Sequence, residues 1–95
     1  MSKAIEKRNP LTRQEVLDFL NIKVEAEEKH WGKDYIYSKW ARDRRDELIK
    51  KFDAGEIIPV QTIQYCDSYG NGTGDYEDTL YSDGSVKTAC FGYAD

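Results

Sequence analysis

Ninety-five residues, 39% of them hydrophobic and 34% charged, set the limits of one small domain with a thin core. Seven Tyr, three Phe and two Trp exclude disorder throughout, and so little interior excludes a roomy substrate cavity. The net charge of −4 is uneven: residues 1–53 carry 13 bases against 11 acids, whereas 54–95 carry Lys87 alone against seven acids, which disfavours a nucleic-acid binder working through its second half.

Residues 1–9 are polar and capless, so they are expected as a flexible arm on a single domain spanning 1–95. Order starts at Leu11-Thr12-Arg13-Gln14-Glu15-Val16. Thr12 and Glu15 fit a capping box, and Leu11 with Val16 fits a hydrophobic staple. The helix begun there is expected over about 12–30, with Val16, Leu17 and Leu20 on one face. Gly32 is a break, and a second helix is expected over about 34–54. Its stripe is Ile36, Tyr37, Trp40, Ala41, Leu48 and Phe52, and Gly55 is its stop. Opposite-charge pairs four residues apart, Lys39–Asp43, Arg42–Asp46, Asp46–Lys50 and Glu47–Lys51, mark a solvated face.

After Gly55 the period changes to that of strands, expected at about 57–67, 76–82 and 85–92. Asp83-Gly84 predicts a two-residue type I′ hairpin, which would pair Tyr81 with Val86 and Thr79 with Thr88. The fold class that follows is α+β, with N-terminal helices packed on a three-stranded antiparallel sheet. The stretch Asp67-Ser-Tyr-Gly-Asn-Gly-Thr-Gly-Asp-Tyr-Glu-Asp78 then becomes a wide, mobile hairpin loop between the first two strands.

That stretch partly matches a calcium loop, with Asp67, Asn71, Gly72, Asp75 and Asp78 at template positions. Tyr69 stands where a ligand belongs and strands replace the flanking helices, so no metal or other cofactor is expected, and a weak calcium-binding module stays as an alternative reading. His30 is the single histidine, and beside Trp31 it suits packing or a helix end. Cys66 and Cys90 have no sequence-local activator and are expected as free thiols; a disulfide would need their strands to be neighbours. No catalytic constellation emerges, and an enzyme is not expected. No apolar run is long enough for a membrane helix and no signal-peptide pattern is present, which points to the cytoplasm.

What remains is a surface. Tyr69, Asp75, Tyr76, Glu77, Asp78, Tyr81 and Asp83 put carboxylates beside amphipathic rings, a composition suited to a protein partner rich in Lys and Arg. The basic run Lys39-Trp40-Ala41-Arg42-Asp43-Arg44-Arg45 can grip phosphates, but acids four residues away compensate most of it, so direct nucleic-acid binding is not expected.

Leu11-Thr12-x-x-Glu15-Val16-x-x-Phe19-Leu20-x-Ile22 resembles the first helix of excisionase-type helix-turn-helix domains, and Gly55-Glu56-Ile57-Ile58-Pro59-Val60 is similar to their wing. That resemblance implies a DNA-binding regulator, yet its reading helix would be the acidic Val24-Glu25-Ala26-Glu27-Glu28. In size, charge split and lack of catalytic chemistry the chain looks like small phage or mobile-element inhibitors, including anti-CRISPR proteins. This second likeness implies a non-enzymatic inhibitor that blocks a basic nucleic-acid-binding surface of its target.

Overall fold

The computed structural model describes residues 5–69 and 72–94, with side chains described over 5–66 and 75–90. Two helices, α1 (Arg13–Trp31) and α2 (Ile36–Asp53), precede three strands, β1 (Pro59–Tyr69), β2 (Gly72–Tyr81) and β3 (Val86–Ala94). The strands form one antiparallel sheet in the order β1-β2-β3, an α+β arrangement. The chain divides into two compact units, one over Leu11–Ile58 and one joining the chain up to Pro10 with the chain from Pro59. Among the described residues no helix is long and apolar enough to cross a membrane.

In the helical unit, α1 starts as the capping box requires. Glu15 N–H donates to Thr12 Oγ1 at 3.2 Å, and Thr12 N–H donates to Glu15 Oε1 at 3.0 Å. Two of the amides that a helix start leaves without partners are thereby satisfied. Thr12→Ala is expected to lower the midpoint of urea unfolding by the equivalent of about 1 kcal/mol; an unchanged midpoint would mean that the cap carries no stability.

Val16, Leu20 and Val24 form the buried stripe of α1. The buried and half-buried line of α2 is Ser38, Ala41, Arg45, Leu48 and Phe52, at spacings of three and four. Polar rungs tie the helices antiparallel: Arg13 forks onto Asp53 (2.9 and 3.1 Å), Arg45 Nη1 donates to Asn21 Oδ1 (3.1 Å), and Arg42 Nη1 donates to Glu28 Oε2 (2.6 Å). The hydrogen bonds from Arg13 hold the Asp53 carboxyl below its ordinary range, although both side chains are open to water and such a pair contributes little. Of the four expected pairs within α2, Glu47–Lys51 forms at 3.6 Å. Arg42 turns instead across to α1, where a half-buried carboxylate offers a drier and stronger partner.

α1 is a single helix of 19 residues. Val24–Glu28, which the helix-turn-helix resemblance would make a separate reading helix, continues it without a turn. Neither Gly nor Pro occurs between Thr12 and Trp31 to break the hydrogen-bond ladder.

In the sheet unit, Tyr76, Asp78 and Leu80 are buried along one face of β2, as strand alternation dictates. Their partners Tyr65, Ile63 and Gln61 on β1, and Cys90, Thr88 and Val86 on β3, share that face. The sequence-expected loop over 67–78 is largely strand. β1 continues to Tyr69 and β2 begins at Gly72, paired with each other, so 70–71 alone separate them and lie outside the described residues. Gly70-Asn71 is itself a two-residue hairpin signal, which the wealth of glycine around it concealed.

The second hairpin also differs from expectation. Leu80 pairs with Val86, Thr79 with Lys87 and Asp78 with Thr88, one residue away from the register that a type I′ turn would set. Such a turn needs positive φ at Asp83, whereas among the described residues positive φ occurs only at glycines, Gly84 included at 86°. Gly84 N–H donates to Tyr81 O, and Tyr81 N–H donates to Ser85 O, both at 2.9 Å, which closes a three-residue turn with a left-handed glycine.

Within the segment read as a flexible arm, two points are held. Ile5 is buried and its N–H donates to Asp78 Oδ2 at 3.3 Å, while Arg8 N–H donates to Gly84 O at 3.0 Å.

Candidate functional site

Alternation along β2 separates the residues expected to form one acidic, tyrosine-bearing surface. Asp75, Glu77 and Tyr81 point to the open face, beside Thr62 and Gln64 of β1 and Lys87 and Ala89 of β3. Tyr76 and Asp78 point to the buried face. The Tyr69 side chain lies outside the described residues.

Tyr76 stacks on Tyr65, with ring centroids 5.6 Å apart and planes at 22°. Asp78 is fully buried. Its Oδ1 accepts from Tyr65 OH at 3.1 Å and from Thr88 Oγ1 at 2.7 Å, and its Oδ2 accepts from the Ile5 amide. A carboxylate so placed ties β1, β3 and the N-terminal segment to β2, and it is withdrawn from any partner. Sequence reasoning put it on the surface because a run of acids usually is solvated. The calcium template fails for the same reason: Asp75 and Asp78 leave opposite faces of one strand and cannot close on one ion. Asp67 and Asn71 have side chains outside the described residues. Among the described residues no group of three or more His, Cys, Asp or Glu side chains converges.

On the open face Glu77 is half-buried and Asp75 exposed. Lys87 Nζ sits 5.1 Å from the centre of the Tyr81 ring, so the one base of the acidic half covers the ring expected as an anchor. Asp83 belongs to the turn, accepting from Ser85 Oγ at 2.6 Å and from Ser85 N–H at 3.0 Å. Those bonds lower its pKa and keep it charged.

A shallow depression of about 520 Å³ is lined by Gln64, Tyr65, Cys66, Asp75 and Tyr76. Within it Cys66 Sγ donates to Asp75 Oδ1 at 2.8 Å, and this hydrogen bond to a carboxylate raises the thiol pKa. The sulfur is thus held protonated, the opposite of an activated nucleophile. Both cysteines are free. Cys66 is on β1 and Cys90 on β3, with β2 between them, a separation near 10 Å that no disulfide spans.

A second surface, unannounced by the sequence reading, lies at the turn between the helices. Trp31, Tyr35, Tyr37 and Trp40, expected in part as core, are exposed by 41%, 44%, 43% and 56%. Trp31 stacks on Tyr35 at 5.0 Å with planes at 11°, and Tyr37 sets its edge against both at 5.2 and 5.3 Å. His30 meets Trp31 edge-on at 4.5 Å, and Trp40 lies 5.4 Å from Tyr37 at a tilt of 48°.

Gly32 builds this turn. Its φ of 92° and ψ of 154° are open to glycine alone, and its N–H donates to Glu28 O at 2.8 Å. Its carbonyl accepts from Ser38 Oγ at 2.7 Å, which explains a fully buried serine at the head of α2. Arg42 Nη2 donates to Lys33 O at 2.9 Å and secures the other side. The available signal was the buried line of α2 itself. It begins with Ser38, Ala41 and Arg45, which a search for apolar residues passes over, so Ile36, Tyr37 and Trp40 fall outside it.

Comparison with protein-family models, curated proteins and solved structures finds no match to this chain.

Proposed function

We propose that the chain is a small, non-enzymatic protein-binding module that acts stoichiometrically, in the manner of phage and mobile-element inhibitors such as anti-CRISPR proteins. Its target presents a Lys- and Arg-rich surface of the kind that holds nucleic acid, and the open face of the sheet covers it. One observation carries this reading. Asp75 and Glu77 stand on that face among neutral neighbours, and among the described residues of the three strands Lys87 is the single base there. Carboxylates so arranged steer a basic partner into place and repel a phosphate backbone.

The contact set is narrower than composition suggested: Asp75, Glu77 and Asp83 supply charge, and Tyr81 becomes available once Lys87 turns to the partner or to water. Capture from the native host followed by mass spectrometry names the target, and surface kinetics on the purified pair then test the face. Asp75→Asn with Glu77→Gln should slow association, and should flatten its salt dependence, more than it speeds dissociation. Unchanged association and an unchanged salt slope in that double variant would remove the sheet face from the interface.

A further inference from the structure

We propose that the turn between α1 and α2 is a second binding surface, and that it holds single-stranded nucleic acid by stacking bases on its rings. Residues 29–40 read Lys-His-Trp-Gly-Lys-Asp-Tyr-Ile-Tyr-Ser-Lys-Trp, with three lysines against one acid. Among the described residues no ion pair engages Lys29, Lys33 or Lys39, whereas Arg42 and Glu28 neutralise each other. The patch therefore sets three exposed lysines, none of them in an ion pair among the described residues, around four exposed rings.

The arrangement of the rings decides between two anionic partners. Trp31 and Tyr35 already form a short parallel stack, buttressed edge-on by Tyr37. A flat base extends such a stack on an outer face, and base–aromatic stacking tolerates any sequence. An acidic protein segment would use the lysines but gain nothing from stacked ring faces. Duplex DNA hides its base faces, leaving only its phosphates to this surface. The second half of the chain and Glu25, Glu27 and Glu28 as readers of a duplex lie outside the 29–40 turn. The run 39–45 shares Lys39 and Trp40 with it, and the Lys39–Asp43 pair expected to compensate that run is not formed among the described residues. The net charge of −4 does oppose any polyanion, so binding belongs to low and moderate salt.

This inference is independent of the sheet face, and the experiment keeps them apart. Fluorescein-labelled oligothymidine of about 20 nucleotides is titrated with the intact protein at about 50 mM salt, following anisotropy and tryptophan quenching. Saturable binding is expected, with a log–log salt slope of about −2 from three phosphates. Unlabelled oligothymidine should displace the probe, and poly-glutamate or a duplex at equal charge should not. Trp40→Ala and Tyr35→Ala should each weaken binding about tenfold. Lys29→Gln, Lys33→Gln and Lys39→Gln together, all exposed and outside the helix seam, should remove most of it with the far-ultraviolet circular dichroism unchanged. Asp75→Asn with Glu77→Gln should bind no more weakly than wild type, because it lessens the net negative charge. Absence of binding at low salt, equal displacement by poly-glutamate, or ring variants that bind like wild type while folded, would each overturn the proposal; equal displacement by poly-glutamate would assign the patch to an acidic protein segment.

Discussion

Asp78→Ala should destabilise the sheet unit by about 3 kcal/mol, more than any substitution on its open face. The wild-type carboxylate is fully buried and accepts hydrogen bonds from Tyr65 OH, Thr88 Oγ1 and the Ile5 amide. A buried donor left without its acceptor costs about 1–3 kcal/mol. The tyrosine and threonine hydroxyls can turn toward water when the carboxylate is gone, whereas the Ile5 amide cannot, so their losses are discounted. Removing a buried polar group also relieves its desolvation cost, which keeps the total well below the sum of the bonds. Asp78→Asn retains the volume and one acceptor and should lose about half as much. A double-mutant cycle of Asp78→Ala with Thr88→Val separates the network from the cavity: coupling above about 0.5 kcal/mol is expected, and strict additivity would mean that the hydroxyl contributes nothing through the carboxylate. The same residue warns against neutralising Asp75, Glu77 and Asp78 together as a test of binding, because loss of the fold would pass for loss of contact.

Elements defined by local chemistry were legible in the chain, and those defined by one residue of register were not. Thr12 with Glu15 located the start of α1, and the glycine beyond α2 located its end, since each rests on hydrogen bonds or dihedral freedom within a few residues. Three antiparallel strands followed from β-branched and aromatic runs between turn residues. The Asp83-Gly84 hairpin shows where this stops: a two-residue and a three-residue turn share those letters. Asp83 holds its carboxylate on Ser85 rather than adopting positive φ, and the pairing slips by one. Site residues suffered most, because a strand alternates faces and a run of acids does not reveal it. Tyr76 and Asp78 went inward while Asp75 and Glu77 stayed outside. On α2 the error ran the other way. Rings at 37 and 40 were assigned to the core because the actual seam opens with Ser38, Ala41 and Arg45, of which the serine and the arginine depend on Gly32 O across the turn and Asn21 on α1 as partners.

The other large effect is expected at Gly84. An added Cβ would lie 2.0 Å from the Arg8 carbonyl oxygen and 2.6 Å from that of Asn9, both backbone atoms, at a φ of 86°. Positive φ alone costs a side chain about 1–2 kcal/mol. The overlap cannot be relieved by rotating a side chain, so the N-terminal segment must move away from the turn. That movement gives up the Arg8 N–H bond to Gly84 O and strains the anchorage of Ile5, whose side chain is buried and whose amide reaches Asp78. Gly84→Ala should therefore cost about 3 kcal/mol or more. Gly55 provides the control, because its φ is 92° and an added Cβ would meet nothing within 4 Å. Gly55→Ala carries the dihedral penalty without the overlap and should cost about 1 kcal/mol. Hydrogen exchange distinguishes the two causes: in Gly84→Ala the Ile5 and Arg8 amides should exchange faster before the interior of β2 does, while in Gly55→Ala they should keep their protection. If the two variants lose equal stability and the Ile5 amide stays protected in both, the N-terminal segment is not held against the turn.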